Sequence, residues 1–351
     1  MKKELLGLTE DELREEMLAL GEKGFRAGQI FSWLHKGASF EQMSNLSAAL
    51  RRKLSENYID CPVSIQEKYV SGIDGTIKLL FALRDGNIIE GVIMRYKYGC
   101  TLCISTQVGC KMGCRFCAST LEGCVRNLTC GEMLGQVLCA NSLLGDEKIG
   151  HIVLMGSGEP LDNYEQVVRF LRLVSHKDGL NISLRHISLS TCGLVPQMYQ
   201  LAEENLPVTL SVSLHAPSDE IRKQLMPIAN RYSIEEVVKA CRNYIEKTGR
   251  RVIFEYALVD SVNCSAECAV RLAGLLRGMQ CHVNVIPLNT VKERNLYGVN
   301  ENQVRLFLQT LENNHISATR RREMGDDIQG ACGQLRKHYM AEADSEKNIQ
   351  L

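Results

Sequence analysis

Thr101-Leu102-Cys103-Ile104-Ser105-Thr106-Gln107-Val108-Gly109-Cys110-Lys111-Met112-Gly113-Cys114-Arg115-Phe116-Cys117 is the stretch that decides the fold. Residues 101–105 read as a β-strand, and the C-x3-C-x2-C triplet follows on a loop at its C-terminal end. Further strand patterns recur at 151–155, 186–189, 208–213, 252–258, 282–286 and 316–320. Helical spacing fills most of the gaps, as at 131–144, 164–174, 234–247 and 304–311. Strands alternating with helices predict a parallel sheet with right-handed crossovers. Six or seven such units fit an incomplete barrel or a doubly wound sheet. In a βα barrel the strand C-termini are where active sites are built.

Upstream the texture differs. Thr9-Glu10-Asp11-Glu12 has the form of a capping box. Leu13, Met17 and Leu20, then Ile30, Phe31, Trp33 and Leu34, then Leu46, Leu50 and Leu54 predict three short helices. After Pro62, residues 63–70, 76–83 and 88–96 predict strands, with turns at Asp74-Gly75 and Asp85-Gly86. The chain therefore divides into a helical accessory domain (1–60), a β extension (61–95), a βα core (96–329) and a C-terminal segment (330–351).

The 351 residues carry 41 basic and 41 acidic side chains, so no broad basic surface marks a nucleic-acid binder. A 45% hydrophobic and 23% charged composition excludes disordered and fibrous classes. No apolar leader and no run of membrane-spanning length is present, which points to the cytoplasm. In that reducing setting the 15 cysteines suit metal binding or catalysis better than disulfides. Cys100, Cys103, Cys110, Cys114, Cys117, Cys124, Cys130 and Cys139 crowd one region. Cys110, Cys114 and Cys117 can hold three corners of an iron–sulfur cluster, leaving one iron without a protein ligand. A zinc site is the alternative, with Cys103 or Cys124 as a fourth ligand. It would suit a zinc-stabilised RNA-binding protein without catalysis.

The triplet, with Phe116 before its last cysteine, resembles the radical S-adenosylmethionine (SAM) superfamily. Five further segments resemble one family within it, the bacterial RlmN adenosine C2-methyltransferases. They are residues 101–110, Arg126-Asn127-Leu128-Thr129, Met155-Gly156-Ser157-Gly158-Glu159-Pro160, Ser211-Val212-Ser213-Leu214-His215-Ala216, and residues 325–335 around Ala331-Cys332-Gly333-Gln334. The resemblance spans nearly the whole chain. Two positions depart from the family's habit: Ser157 replaces a frequent methionine, and Gly330 a common alanine.

The resemblance implies an α/β radical-SAM partial (β/α)6 barrel with an N-terminal helical accessory domain and a small β extension. It implies one 4Fe-4S cluster on Cys110, Cys114 and Cys117, and two SAM per turnover. Gly158, Glu159, Ser190, Ser213, Leu214, His215 and Asn289 would contact SAM. Cys332 would carry the methyl as S-methylcysteine, Glu90 would accept the C2 proton, and Cys103 would resolve the RNA–cysteine adduct through a disulfide with Cys332. Glu90 invites this role independently, as an acid in the otherwise apolar Ile88-Ile89-Glu90-Gly91-Val92-Ile93-Met94. The implied substrates are adenosine 2503 of 23S rRNA and adenosine 37 of tRNA. The implied electron donor is a flavodoxin or ferredoxin, and the chain is expected to be a monomer without membrane contact. The C8-specific sister family, which confers antibiotic resistance, shares the two-cysteine scheme. Arg51-Arg52-Lys53, Arg250-Arg251 and Arg320-Arg321-Arg322 are candidate phosphate contacts.

Overall fold

The computed structural model describes residues 2–288 and 296–328. Asn289 and Cys332 lie outside the described residues.

Three helices open the chain: α1 (Glu10–Ala19), α2 (Arg26–Leu34) and α3 (Ala48–Asn57). The capping box at α1 forms as expected. The Glu12 backbone N–H donates to the Thr9 hydroxyl, and the Glu12 carboxylate accepts from the Thr9 N–H at 2.8 Å. Leu13, Met17, Ile30, Phe31, Leu34, Leu50 and Leu54 are buried on facing sides, as their helical spacing predicts. Lys3–Glu4 pairs in parallel with Tyr58–Ile59 and closes this unit on itself.

His35, at the end of α2, is 3% exposed and stacked on Phe31, and neither ring nitrogen has a hydrogen-bond partner among the described residues. Burial, helped by the nearby His176, pushes its pKa down to about 4 from 6.5. A folded pKa below the unfolded one means that the unfolded chain binds the proton first. Stability is therefore lost as pH falls from about 6.5 to about 4, by an amount on the order of 3 kcal/mol. His35→Leu is expected to flatten that acid slope and to raise the melting temperature at pH 5, measured against wild type by calorimetry.

The rest of the chain builds one ten-stranded sheet. Its strands are β1 (Val63–Val70), β2 (Ile77–Leu83), β3 (Ile88–Tyr96), β4 (Gly99–Cys103), β5 (Ile149–Leu154), β6 (Ile187–Thr191), β7 (Thr209–Ser213), β8 (Val252–Leu258), β9 (Cys281–Pro287) and β10 (Ala318–Arg320). Each strand pairs with its neighbours in sequence, so the spatial order is simply β1 to β10. Strands β1 to β4 are antiparallel, and β4 to β10 are parallel. This settles the choice left open by the alternation: a doubly wound sheet reverses its strand order, and this one does not. It is a barrel-type winding left open, because β1 and β10 do not pair. The β extension belongs to the same sheet as the core, joined through the β3–β4 register Val92↔Cys103.

Helices α4 (Cys130–Asn141), α5 (Tyr164–Val174), α6 (Val195–Glu203), α7 (Asp219–Leu225), α8 (Ile234–Thr248), α9 (Ala266–Leu276) and α10 (Glu301–Asn313) fill the crossovers. Capping boxes start α4, α8 and α10, and Gly249 at φ +65° ends α8. The outward strand residues Leu102, Ile152, Leu189, Leu210, Phe254 and Val283 are completely buried. The alternate, inward positions include Ser188, Ser190, Ser211, Ser213, Glu255 and Asn284. A parallel strand buried on two apolar layers reads as continuously hydrophobic. Polar residues at every second position therefore mark an inner face that serves a site.

The accessory unit is fastened to the core by Arg169 on α5. Its Nε donates to the Gly7 carbonyl at 2.7 Å, and its guanidinium pairs with Glu12. No helix among the described residues is long and apolar enough to cross a membrane.

Candidate active site

The cysteine loop is held by its own backbone. Between β4 and α4, Gln107–Gly109 and Cys124–Asn127 form a small antiparallel pair that brackets the loop. Gly109 has φ +77°, and a Cβ there would fall 2.1 Å from the Gly123 carbonyl, so only glycine fits. The Cys110 N–H donates to that carbonyl at 2.8 Å. Further along, the Arg115 N–H donates to the Leu225 carbonyl of α7 at 2.9 Å. The Thr120 hydroxyl closes the loop on the carbonyls of Cys114 (3.2 Å) and Cys117 (2.9 Å). The motif Arg126-Asn127-Leu128-Thr129 also acquires a physical reason. Arg126 forks onto the Glu132 carboxylate at 2.8 and 2.7 Å and reaches Asp85 at 2.6 Å, tying this bracket to the β2–β3 turn.

All three thiols border one cavity of about 270 Å³ at the C-terminal ends of the parallel strands. Burial pushes the Cys110 thiol up to about 12 and raises Cys114 further. Two buried thiols, with the half-buried Cys117 on the same loop, are costly to ionise together without a cation among them. A metal group that takes the protons' place meets that cost, so the donor set fits an iron–sulfur cluster held by three cysteines.

The strand ends bring the SAM-binding candidates to the same cavity. Gly156 and Gly158 each pack where a Cβ would strike the 104–107 segment, at 2.6 Å from the Ile104 carbonyl and 2.7 Å from Gln107. Gly158 also needs its φ of +112°. Ser157 donates none of this away: its carbonyl accepts from Thr106 and Gln107 N–H, and its hydroxyl meets that of Ser119 in the cysteine loop. Glu159 is buried and borders the cavity, but its carboxylate is already bridged by two backbone N–H groups, Leu161 at 3.1 Å and Cys192 at 2.7 Å. These bonds fix the carboxylate at the cavity wall and leave acceptor capacity on both oxygens for a further donor. Ser190, Ser213 and His215 border the cavity as expected, whereas the Leu214 side chain is completely buried away from it.

His215 has φ +55°, and its Nδ1 accepts from the Ala257 N–H at 2.8 Å. Burial pushes its pKa down to about 3. The ring is therefore neutral with its proton on Nε2, a fixed donor. Asn263 holds this geometry, donating to the His215 and Ala257 carbonyls at 2.7 Å each and accepting from Val259 N–H.

Glu90 and Cys103 do not border the cavity; they stand beside it on the inward face of adjacent strands. Glu90 is 3% exposed, so it does not lie on a solvent face. The Lys78 ammonium, fully buried, lies 3.4 Å from its carboxylate. The Ser105 hydroxyl donates to the Glu90 carbonyl at 2.8 Å. Burial pushes the Cys103 thiol up to about 11, opposed chiefly by Arg321. The chain that leads to Cys332 is clasped by the β1–β2 turn. Asp327 accepts from the Ser71 hydroxyl (2.7 Å) and Gly72 N–H (2.8 Å), and Asp74 accepts from Gly325 N–H (3.0 Å).

Sequence reasoning missed several residues at this site. Cys192 borders the cavity, and its backbone N–H donates to the Glu159 carboxylate at 2.7 Å. Arg222 of α7 is completely buried and donates to the Cys192 carbonyl at 2.7 Å. Glu255 and Arg321 also border the cavity. Glu255 carries the same signal as Glu90, an acid inside an apolar strand.

Sequence models of two families match the chain: the radical SAM superfamily over residues 104–263, and the ribosomal RNA large subunit methyltransferase N-terminal domain over residues 3–59. A protein of Alkaliphilus metalliredigens is 52% identical over 347 residues, 99% of this chain and 98% of its own length. One of Clostridium perfringens (strain 13) is 57% identical over 341 residues, covering 96% and 98%. Both carry the name "Probable dual-specificity RNA methyltransferase RlmN". The chain belongs to the RlmN family. A crystal structure of a radical SAM methyltransferase from Sphaerobacter thermophilus superposes with a TM-score of 0.91 at 43% identity, over 95% of this chain and 98% of that one. The RlmN assignment makes the chain a radical-SAM methyltransferase using a 4Fe-4S cluster and SAM, and it removes the zinc alternative.

Proposed function

We propose that this RlmN-family chain methylates C2 of adenosine in 23S rRNA and tRNA, consuming two SAM per turnover, with Cys332 as methyl carrier. Bound at Cys110, Cys114 and Cys117, the cluster with SAM supplies a 5′-deoxyadenosyl radical. Cys332 first takes a methyl group as S-methylcysteine. C2 of adenine is too electron-poor to attack SAM's methyl directly, so an RNA–cysteine adduct precedes product. Glu90 takes the C2 proton; the Cys103 thiolate then attacks the Cys332 sulfur, so that the S–S bond forms as the S–CH2 bond to the RNA breaks, and the methylene carbon keeps that electron pair and takes up a proton to become the methyl group.

The observation that supports this most is the inward placement of Glu90 and Cys103 on neighbouring strands beside the three-thiol cavity. Burial compensated by Lys78 gives Glu90 a charge partner away from solvent. The clasp of Gly325 and Asp327 by the β1–β2 turn anchors the chain just before Cys332. With its thiol near 11, Cys103 gains thiolate about tenfold per pH unit below that value, so adduct resolution should quicken with pH. The substrate adenosine must leave its stack to reach such a pocket. A flavodoxin or ferredoxin reductant, a monomeric state and a cytoplasmic setting belong to the same reading.

The test is anaerobic turnover with RNA and methyl-labelled SAM. Cys332→Ala should give no product, and Cys103→Ala should accumulate a protein–RNA adduct. Unchanged product from Cys332→Ala, or no adduct from Cys103→Ala, would defeat the two-cysteine scheme. Nucleoside analysis of digested RNA separates C2 from C8.

A further inference from the structure

Glu255 is a second carboxylate in the cavity, and its surroundings leave it half-satisfied. It sits in Val252-Ile253-Phe254-Glu255-Tyr256-Ala257-Leu258, paired in register with Ser213 of β7 and Asn284 of β9. Its backbone carbonyl accepts from the Leu214 and His215 N–H groups at 3.1 and 3.3 Å, which fixes its place on the wall. The side chain is 4% exposed and borders the cavity. Oε2 accepts from the Asn284 amide at 2.8 Å. Oε1 receives no hydrogen bond among the described residues, and the Arg321 guanidinium, which borders the same cavity, favours the charged form of the group. Oε1 thus faces the cavity with its acceptor sites open to a donor on whatever the cavity binds.

The donor's class follows from where Glu255 stands. In the radical-SAM reading Cys110, Cys114 and Cys117 would hold the cluster that binds SAM's methionyl end, which would place that end at the cysteine loop, after β4. Glu255 lies on β8, four strands further round the sheet. An occupant anchored at the loop extends its adenosyl end toward that wall, where the hydroxyls of Ser190 and Ser213 also border the cavity. The donors on an adenosyl group at that end are the ribose hydroxyls and the adenine amine. Of these, only a hydroxyl also accepts the hydrogen bonds that serine hydroxyls donate.

We propose that Glu255 Oε1 accepts a hydrogen bond from a ribose hydroxyl of the adenosine bound in this cavity, with Asn284 as the residue that positions the carboxylate. The inference rests on reading the cavity as the SAM site. Glu255 would then set specificity for a ribonucleoside over a deoxyribonucleoside.

Two ribose sources exist, SAM and the target adenosine, and the experiment has an arm for each. Anaerobically reconstituted holoenzyme is titrated with S-adenosylhomocysteine and with its 2′-deoxy and 3′-deoxy analogues. Wild type should bind one deoxy analogue about tenfold or more weaker, the cost of a hydrogen bond to a charged group. Glu255→Met should bind all three within about threefold of each other, and Glu255→Gln should fall between. The second arm compares RNA oligonucleotides with adenosine or 2′-deoxyadenosine at the target. Discrimination confined to that arm supports a ribose hydroxyl and assigns it to the RNA. Equal binding by wild type in both arms overturns the proposal, and it does so without any variant that must fold. If wild type binds no S-adenosylhomocysteine at all, the SAM reading of the cavity fails instead.

Discussion

Lys78→Met should destabilise the protein by about 3–5 kcal/mol, because it strands Glu90 as a buried charge without its ammonium. Lys78 is completely buried on β2, and Glu90 sits diagonally across from it on β3, where the register pairs Lys78 with Val92 and Leu80 with Glu90. Diagonal neighbours on one face are within reach of long side chains. The 3.4 Å contact is sealed from water on both sides, so salt does not screen it as it would a surface pair. Glu90→Gln removes the charge from the other end and leaves an ammonium to be solvated. The double variant Lys78→Met with Glu90→Gln removes both charges and should recover most of the loss. Denaturant unfolding of the four proteins measures the coupling. Purely additive losses would mean that the two groups do not act as a pair. Glu90→Gln should also abolish product formation while leaving SAM binding intact, since Glu90 does not border the cavity.

Cys114→Ala should lose bound iron, and methyl transfer should fall at least about 1,000-fold, with the fold retained. The loop keeps its shape without the thiol because backbone bonds hold it: Arg115 N–H to Leu225, Cys110 N–H to Gly123, and the Thr120 hydroxyl to two carbonyls. Cys192→Ser is the control. Cys192 borders the same cavity but stands outside the loop triplet. A serine there leaves the backbone N–H to Glu159 and the carbonyl to Arg222 unchanged. Cys192→Ser should therefore bind iron like wild type. Iron analysis and absorbance of the two anaerobically reconstituted variants decide it. Iron loss in Cys192→Ser would make that cysteine a fourth ligand.

Much of this was legible from residue order because it depends on local chemistry. The cysteine triplet after a strand, the capping box at Thr9, and the period-two patterns need only neighbours in the chain. Glu90 stood out because an acid interrupted an apolar strand. Glu255 interrupts one in the same way, and Val252 to Leu258 could have yielded it by the same argument. Lys78, Arg222 and Cys192 could not have been found so. Lys78 reads as one charge in a strand until β3 lies beside it. Arg222 reads as a solvated helix residue in Asp219-Glu220-Ile221-Arg222-Lys223, and it is buried only because α7 packs behind the cysteine loop. Glu159 borders the cavity, as its motif implies, and the fold adds what the motif does not show: two backbone N–H groups that fix its carboxylate.

By itself, the sequence determined the element types and the cysteine triplet, which rest on spacing along the chain, and its motifs carried the resemblance to the family. Tertiary structure alone decided that the sheet winds in one direction and stays open, that the β extension joins it, and that Glu90 is paired within it. Those outcomes depend on which strands become neighbours, and hydrogen-bond register between distant segments is set by packing of the whole, not by any local run of residues.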